Sequence, residues 1–125
     1  KGKIIAKYYK IHTFDATEFD TPKTETYVWF MLNDVKIGVL TCFDTMFATP
    51  LLPLIHEYNI SNFIVSHWWN NQYAMFNAIT WWQAISKRMN INLITSASWY
   101  DTSSVADYPW SSGSGIFSNG NILQS

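Results

Sequence analysis

Two residues carry the chemistry this sequence offers, Cys42 and Lys10. Cys42 is the single cysteine of the chain; it follows Gly38-Val39-Leu40-Thr41 and precedes Phe43-Asp44. One cysteine excludes an internal disulfide and a cysteine-based zinc cluster. A lone cysteine is commonly a small buried apolar residue. A nucleophile behaves differently when it sits just after a buried strand, at a sharp turn into a helical segment. It is then held on a rigid element with its tip exposed. A helix starting within 44–49 would also lower the thiol pKa. Lys10 closes the run Lys3 to Lys10. An ammonium beside Cys42 would favour the thiolate and hold an oxyanion formed on an attacked carbonyl. Taken alone, a lysine at a strand end is ordinarily solvated surface. His12 and His67 leave a second chemistry open, a Cys–His pair with an Asp or Asn behind it. Each is otherwise a hydrogen-bonded residue at a pocket edge. His56 falls inside a predicted helix and reads as structural. The three histidines are far apart in sequence and show no metal-ligand spacing, so no metal site is expected.

These residues must be positioned by the elements around them. Lys3 to Lys10 predicts a strand. Asp15 to Thr26 is polar, carries Pro22 and predicts a loop. Tyr27 to Leu32 is a short apolar run and predicts a buried strand. Asn33-Asp34 signals a turn into a strand over Val35 to Thr41, giving a hairpin. Pro50 to Tyr58 predicts a helix, and Phe63 to Ser66 a short strand. Over Tyr73 to Met89, the residues Met75, Ile79, Trp82, Ile85 and Met89 recur at helical spacing. Phe76 and Trp81 lie off that stripe, so this helix should be covered on more than one side. Lys87 and Arg88 suit its carboxyl end. Ile91 to Ala97 predicts a strand. Ser111 to Gly115 predicts a loop, followed by a strand and an Asn119-Gly120 turn. Strands alternating with helices predict an α/β layered fold, in which functional groups gather at strand carboxyl ends. Lys10 and Cys42 both fall there.

A chain of 125 residues is one domain's worth. It opens at Lys1 with no charged-then-apolar leader, and no apolar stretch reaches the ~18 residues of a membrane span. The net charge is −1 with scattered Lys and Arg, which argues against a nucleic-acid partner. Charged residues are 14% of the chain and Trp numbers seven. Ordinary soluble chains carry ~25% charge. This aromatic excess predicts surface buried against further protein, or an aromatic pocket.

The segment Gly2-Lys-Ile-Ile-Ala-Lys-Tyr-Tyr-Lys-Ile-His-Thr-Phe-Asp15 resembles the lysine segment of the nitrilase superfamily, usually close to GRYRKIHLFD. Gly38-Val-Leu-Thr-Cys-Phe-Asp-Thr-Met-Phe47 resembles its cysteine elbow, usually GxxICYDxxFP. Order and separation match as well. The match narrows to the vanin and biotinidase branch at Thr41-Cys42-Phe43-Asp44 and over His67 to Ala97. That stretch holds Trp69-x-Asn71, a long helix and Asn90-Ile-Asn-Leu-Ile-Thr-Ser96. Gly113-Ser114-Gly115-Ile116-Phe117 resembles the branch's GSGIY.

The resemblance implies a nitrilase-type αββα sandwich, of which residues 1–125 are the carboxyl-terminal portion. It implies a Glu–Lys–Cys triad hydrolysing a linear amide, pantetheine- or biotinyl-like, through a Cys42 thioester without a cofactor. Lys10 and Cys42 match the lysine and cysteine. The glutamate lies upstream of the lysine in the family, and no Glu precedes Lys10 here. Glu18 is the match for a supporting carboxylate, or an ordinary loop residue. The backbone N–H of Phe43 would share the oxyanion with Lys10. His67 and Trp69 are candidate substrate-pocket walls; Trp69 reads equally as core packing. Thr80 departs from the family, which carries a Glu nearby in the long helix. The implied partners are a small-molecule amide and the remainder of the catalytic domain, and a homo-oligomer is allowed. Asn59-Ile60-Ser61 is a glycosylation sequon, and the branch is secreted or membrane-anchored on the extracellular side. Two rivals stand beside the enzyme. One is a catalytically silent relative that binds or scaffolds. The other is a Trp-rich carbohydrate-binding module, which needs Trp68, Trp69, Trp81 and Trp82 on a flat exposed face.

Overall fold

Apolar runs on either side of Asn33-Asp34 close into an antiparallel hairpin. In the computed structural model, which describes residues 2–15, 17, 19–69, 78–97 and 113–124, β1 spans Trp29–Leu32 and β2 spans Val35–Thr41. Trp29 faces Gly38 and Leu32 faces Val35. Asn33 has a φ of 51°, the left-handed conformation that asparagine tolerates and a tight hairpin needs. From β2 the chain passes through a 3₁₀ turn, Cys42–Met46, into α1, Ala48–His56. Then come β3 (Asn62–His67), α2 (Ala78–Met89), β4 (Asn92–Ala97), β5 (Gly115–Ser118) and β6 (Asn121–Gln124).

The strands form one six-stranded sheet in the order β1-β2-β3-β4-β5-β6. β2, β3 and β4 are parallel, with α1 and α2 as their crossovers; the outer pairs are antiparallel. This is the α/β layering that the alternation of strand and helix patterns predicts. The helix over Tyr73 to Met89 is described from Ala78 onward; residues 73–77 lie outside the described residues. The helix after the cysteine begins two residues ahead of Pro50 and ends at His56.

Register explains the core. Gly38, Phe63, Leu93 and Phe117 stand side by side across β2 to β5, and Leu40, Val65 and Thr95 form the next row. The apolar members pack with Leu51 and Leu54 of α1 and Ala78, Trp82 and Ile85 of α2 in one core. Gly38 is required by this closeness: a Cβ there would stand 2.5 Å from the Phe63 ring. α2 stops at Asn90, whose φ is 54°. The Ile91 N–H donates to the Ser86 carbonyl and the Asn90 N–H to that of Lys87, a Schellman ending with asparagine in the glycine position.

Among the described residues the opposite sheet face carries no helix. Val39, Ile64, Ile94 and Ile116 lie in register across it, and Ile94 and Ile116 are exposed. A face built this way is one side of a layered sandwich. No helix among the described residues is long and apolar enough to cross a membrane.

Two expectations need correction. Lys3 to Lys10 is not a strand. It is irregular, pairs with no strand of the sheet, and leaves Ile4 83% and Ile5 68% exposed. β-propensity reports how side chains fit a pleated surface and does not supply a partner edge. β1, expected to be buried, is an edge strand with Met31 and Leu32 exposed at the hairpin end.

Candidate active site

Cys42 stands at the carboxyl end of β2, where the strand breaks into the 3₁₀ turn. Its φ is +48°. A β-carbon is crowded in that conformation, and non-glycine residues held there cluster at functional positions. The turn is fastened from within, because the Thr45 hydroxyl donates to the Cys42 carbonyl at 2.8 Å. The thiol is partly exposed, and Sγ lies 3.8 Å from the Trp68 carbonyl oxygen.

Lys10 reaches this turn although its segment lacks the expected ladder. The Lys10 Nζ donates to the Thr41 carbonyl at 2.7 Å, on the residue just before Cys42. Burial lowers the Lys10 pKa, and the nearby charges of Asp44 and then Cys42 push it back up. The structure therefore brings Lys10 and Cys42 together at one strand end.

Asp44 is the residue that sequence reasoning missed. Its carboxylate is fully buried. Oδ2 accepts from the Tyr8 hydroxyl at 2.7 Å, and Oδ1 accepts from the His12 backbone N–H at 2.6 Å. Lys10 Nζ is 3.9 Å from Oδ2. Burial and then the accepting carboxylate raise the Tyr8 pKa. The signal available was the Asp of the cysteine motif itself, two positions after Cys42.

The remaining candidates are placed as follows. The His12 ring stacks on Phe47 at 3.9 Å, with Nε2 2.8 Å from the Thr49 carbonyl oxygen. His67 is buried at the end of β3, and its Nε2 meets the Gly113 carbonyl oxygen at 3.3 Å. Burial lowers the His67 pKa, with the Gly113 bond acting against it. Each of these rings is thus held by a backbone carbonyl. Phe43 packs edge-on to Phe14 and Phe47 beside the turn. Trp69 is 9% exposed and sits in the core against Trp81 and Trp82, whereas Trp68 is 58% exposed beside the thiol. Trp82 is buried and Trp81 packs against the core, so these four tryptophans form no flat exposed face. His56 and Thr80 are exposed on their helices. Glu18 and Asn71 lie outside the described residues. An apolar groove of about 320 Å³ between the two helices is lined by Met46, Leu51, Trp81, Ile85 and Met89. It lies behind the turn and includes neither Lys10 nor Cys42. Among the described residues no three His, Cys, Asp or Glu side chains cluster as metal ligands.

No family model matches the chain. It is 29% identical to bovine pantetheinase over 94% of this chain and 22% of that protein. Human pantetheine hydrolase VNN2 is 28% identical over 75% of this chain and 18% of its own length. Biotinidase of Takifugu rubripes is 30% identical over 74% and 18%. The chain spans about a fifth of the length of these relatives. Among solved structures, the glutamine-dependent NAD+ synthetase of Acinetobacter baumannii superposes with a TM-score of 0.66 at 20% identity. The match covers 91% of this chain and 21% of that one, so the sheet and helices share the fold of that part of the synthetase. Sequence likeness across most of the chain and a shared fold together support one assignment, a vanin-like segment of the nitrilase superfamily.

Proposed function

We propose that this segment supplies the nucleophile and the lysine of an enzyme that hydrolyses linear amides, pantetheine- or biotinyl-like, through a thioester. One observation supports the reading above the rest. Cys42 is held at positive φ on a strand end while Lys10 is anchored on the carbonyl immediately before it. Strain at a reactive residue is retained when the surroundings over-determine it, and the bond from Lys10 to Thr41 is part of those surroundings.

In this reading Cys42 loses its proton to a glutamate supplied by sequence beyond this chain. The thiolate attacks the amide carbon, and the oxyanion is held by the Lys10 ammonium and the Phe43 N–H. The carbon–nitrogen bond breaks, and the amine leaves with the proton the glutamate had taken. Water, activated by the same glutamate, then cleaves the thioester and regenerates the thiol. The row of Val39, Ile64, Ile94 and Ile116, exposed at Ile94 and Ile116, is where the rest of the domain would cover the sheet. Trapping tests the chemistry. Mass spectrometry of the full-length protein quenched during turnover of a pantetheine amide should show an acyl adduct on Cys42. A protein that hydrolyses nothing and forms no adduct would leave the silent, scaffolding relative as the better reading.

Secretion belongs to the same proposal. Asn59 is exposed, at a φ of 53° in the turn between α1 and β3, and Ser61 is exposed two residues on. Both sit at the end of the sheet away from Cys42, so a glycan there would leave the thiol open. Expression through a secretory pathway should give a glycosidase-sensitive mass on the peptide holding Asn59. It should vanish in Asn59→Gln. An unmodified peptide from secreted protein would remove the assignment.

A further inference from the structure

The Lys10 segment has no ladder to hold it, yet its lysine is delivered to the reactive turn. Side chains must do what main-chain pairing does elsewhere. Asp44 accounts for most of this. It is fully buried two residues after Cys42, and it receives the Tyr8 hydroxyl and the His12 N–H from either side of Lys10. Ile11, between them, is buried too. We propose that Asp44 is the positioning residue of the site: its buried carboxylate clamps residues 8–12 to the Cys42 turn and keeps Lys10 charged there. The inference rests on the reading of Lys10 and Cys42 as the reacting pair.

The charge balance shows why a neutral clamp would not serve. Lys10 is partly buried, and burial alone disfavours its ammonium. Among the described residues the charged and titratable groups acting on it are Asp44 and then Cys42, both from the turn, while the Tyr8 hydroxyl and the His12 N–H of its own segment bond the same Asp44 carboxylate. Glu25 acts on Tyr8 from the following loop. Among the described residues Asp44 is the carboxylate that forms an ion pair with Lys10, at 3.9 Å. An amide in its place would still accept the His12 N–H but would return no charge to Lys10.

Three measurements on the full-length protein test the clamp. The first is competitive acetylation of Lys10 across pH, read by mass spectrometry without substrate. Asp44→Asn should move the midpoint of Lys10 down by about one unit, the low end of what a neighbouring opposite charge supplies. Tyr8→Phe removes a tether but keeps the charge, and it should leave the midpoint in place. Equal shifts in both variants, or none in Asp44→Asn, would overturn the proposal. The second needs no variant to fold: in wild type, the carboxyl ¹³C resonance of Asp44 should inflect at the pH where Lys10 titrates. A flat resonance there overturns it. The third reads hydrolysis, where the alkaline limb of kcat should shift with Lys10 in Asp44→Asn while KM holds. Because the first two use no substrate, a coupled Lys10 in a protein whose Cys42 never acylates would sink the hydrolase and keep the clamp. An acylating Cys42 beside an uncoupled Lys10 would do the reverse.

Discussion

On the proposed mechanism, Cys42→Ala should abolish amide hydrolysis in the full-length protein while its circular dichroism and unfolding midpoint stay at wild-type values. The loss should be at least about 10³-fold, because removing a covalent nucleophile leaves only binding and oxyanion donors. The fold survives for a specific reason. Alanine keeps the β-carbon that already occupies the left-handed conformation at position 42, so the strain of the turn is unchanged. The bond from Thr45 to the carbonyl of residue 42 uses main chain and is also retained. Lys10→Ala should cost about 10²–10³ in rate, the usual value of one oxyanion donor. Activity above a tenth of wild type in Cys42→Ala would end the thioester mechanism.

The largest effect on stability is expected at Trp82. It is fully buried and touches three elements at once. Its ring lies 4.9 Å from His67 and 5.5 Å from Trp69, and its Nε1 would meet a Cβ on Gly113 at 3.2 Å. Truncation to alanine opens a cavity where α2, the end of β3 and the entry to β5 meet. Trp82→Ala should destabilise the protein by about 3–5 kcal/mol, measured as the shift in urea unfolding. Trp82→Phe should cost less than half of that. Nε1 finds no hydrogen-bond partner among the described residues, so phenylalanine gives up ring volume but none of the described bonds. A shift below about 1 kcal/mol for Trp82→Ala would mean that α2 is not docked as described.

Local signals carried far in this chain. Asn33-Asp34 and Asn119-Gly120 both close hairpins, since left-handed turn residues announce themselves by type. The parallel strands were readable as short apolar runs, and the elbow from its position after one of them. What failed needed knowledge of neighbours. Lys3 to Lys10 has the side chains of a strand, but no edge receives it. Trp68 and Trp69 are equivalent in the sequence, and one step along the chain puts the first beside the thiol and the second in the core. Asp44 reads in the sequence only as a member of the cysteine elbow and a possible start of the helix after it. Its burial depends on a segment more than thirty residues earlier folding over it, which no window along the chain reports.

The sheet has one more property, which concerns time. Each strand lies beside the strand made just before it, from β1 through β6. Among the described strands each ladder therefore joins neighbours in sequence, and none waits for a later strand to be inserted. Closing such loops costs less chain entropy, and low sequence separation between partners speeds folding. Synthesised from its amino end, this sheet can grow by accretion, each new strand docking on an edge already in place. The exception is the contact at the heart of the site. The residues around Lys10 are made before Asp44 and stay without this anchor until it follows.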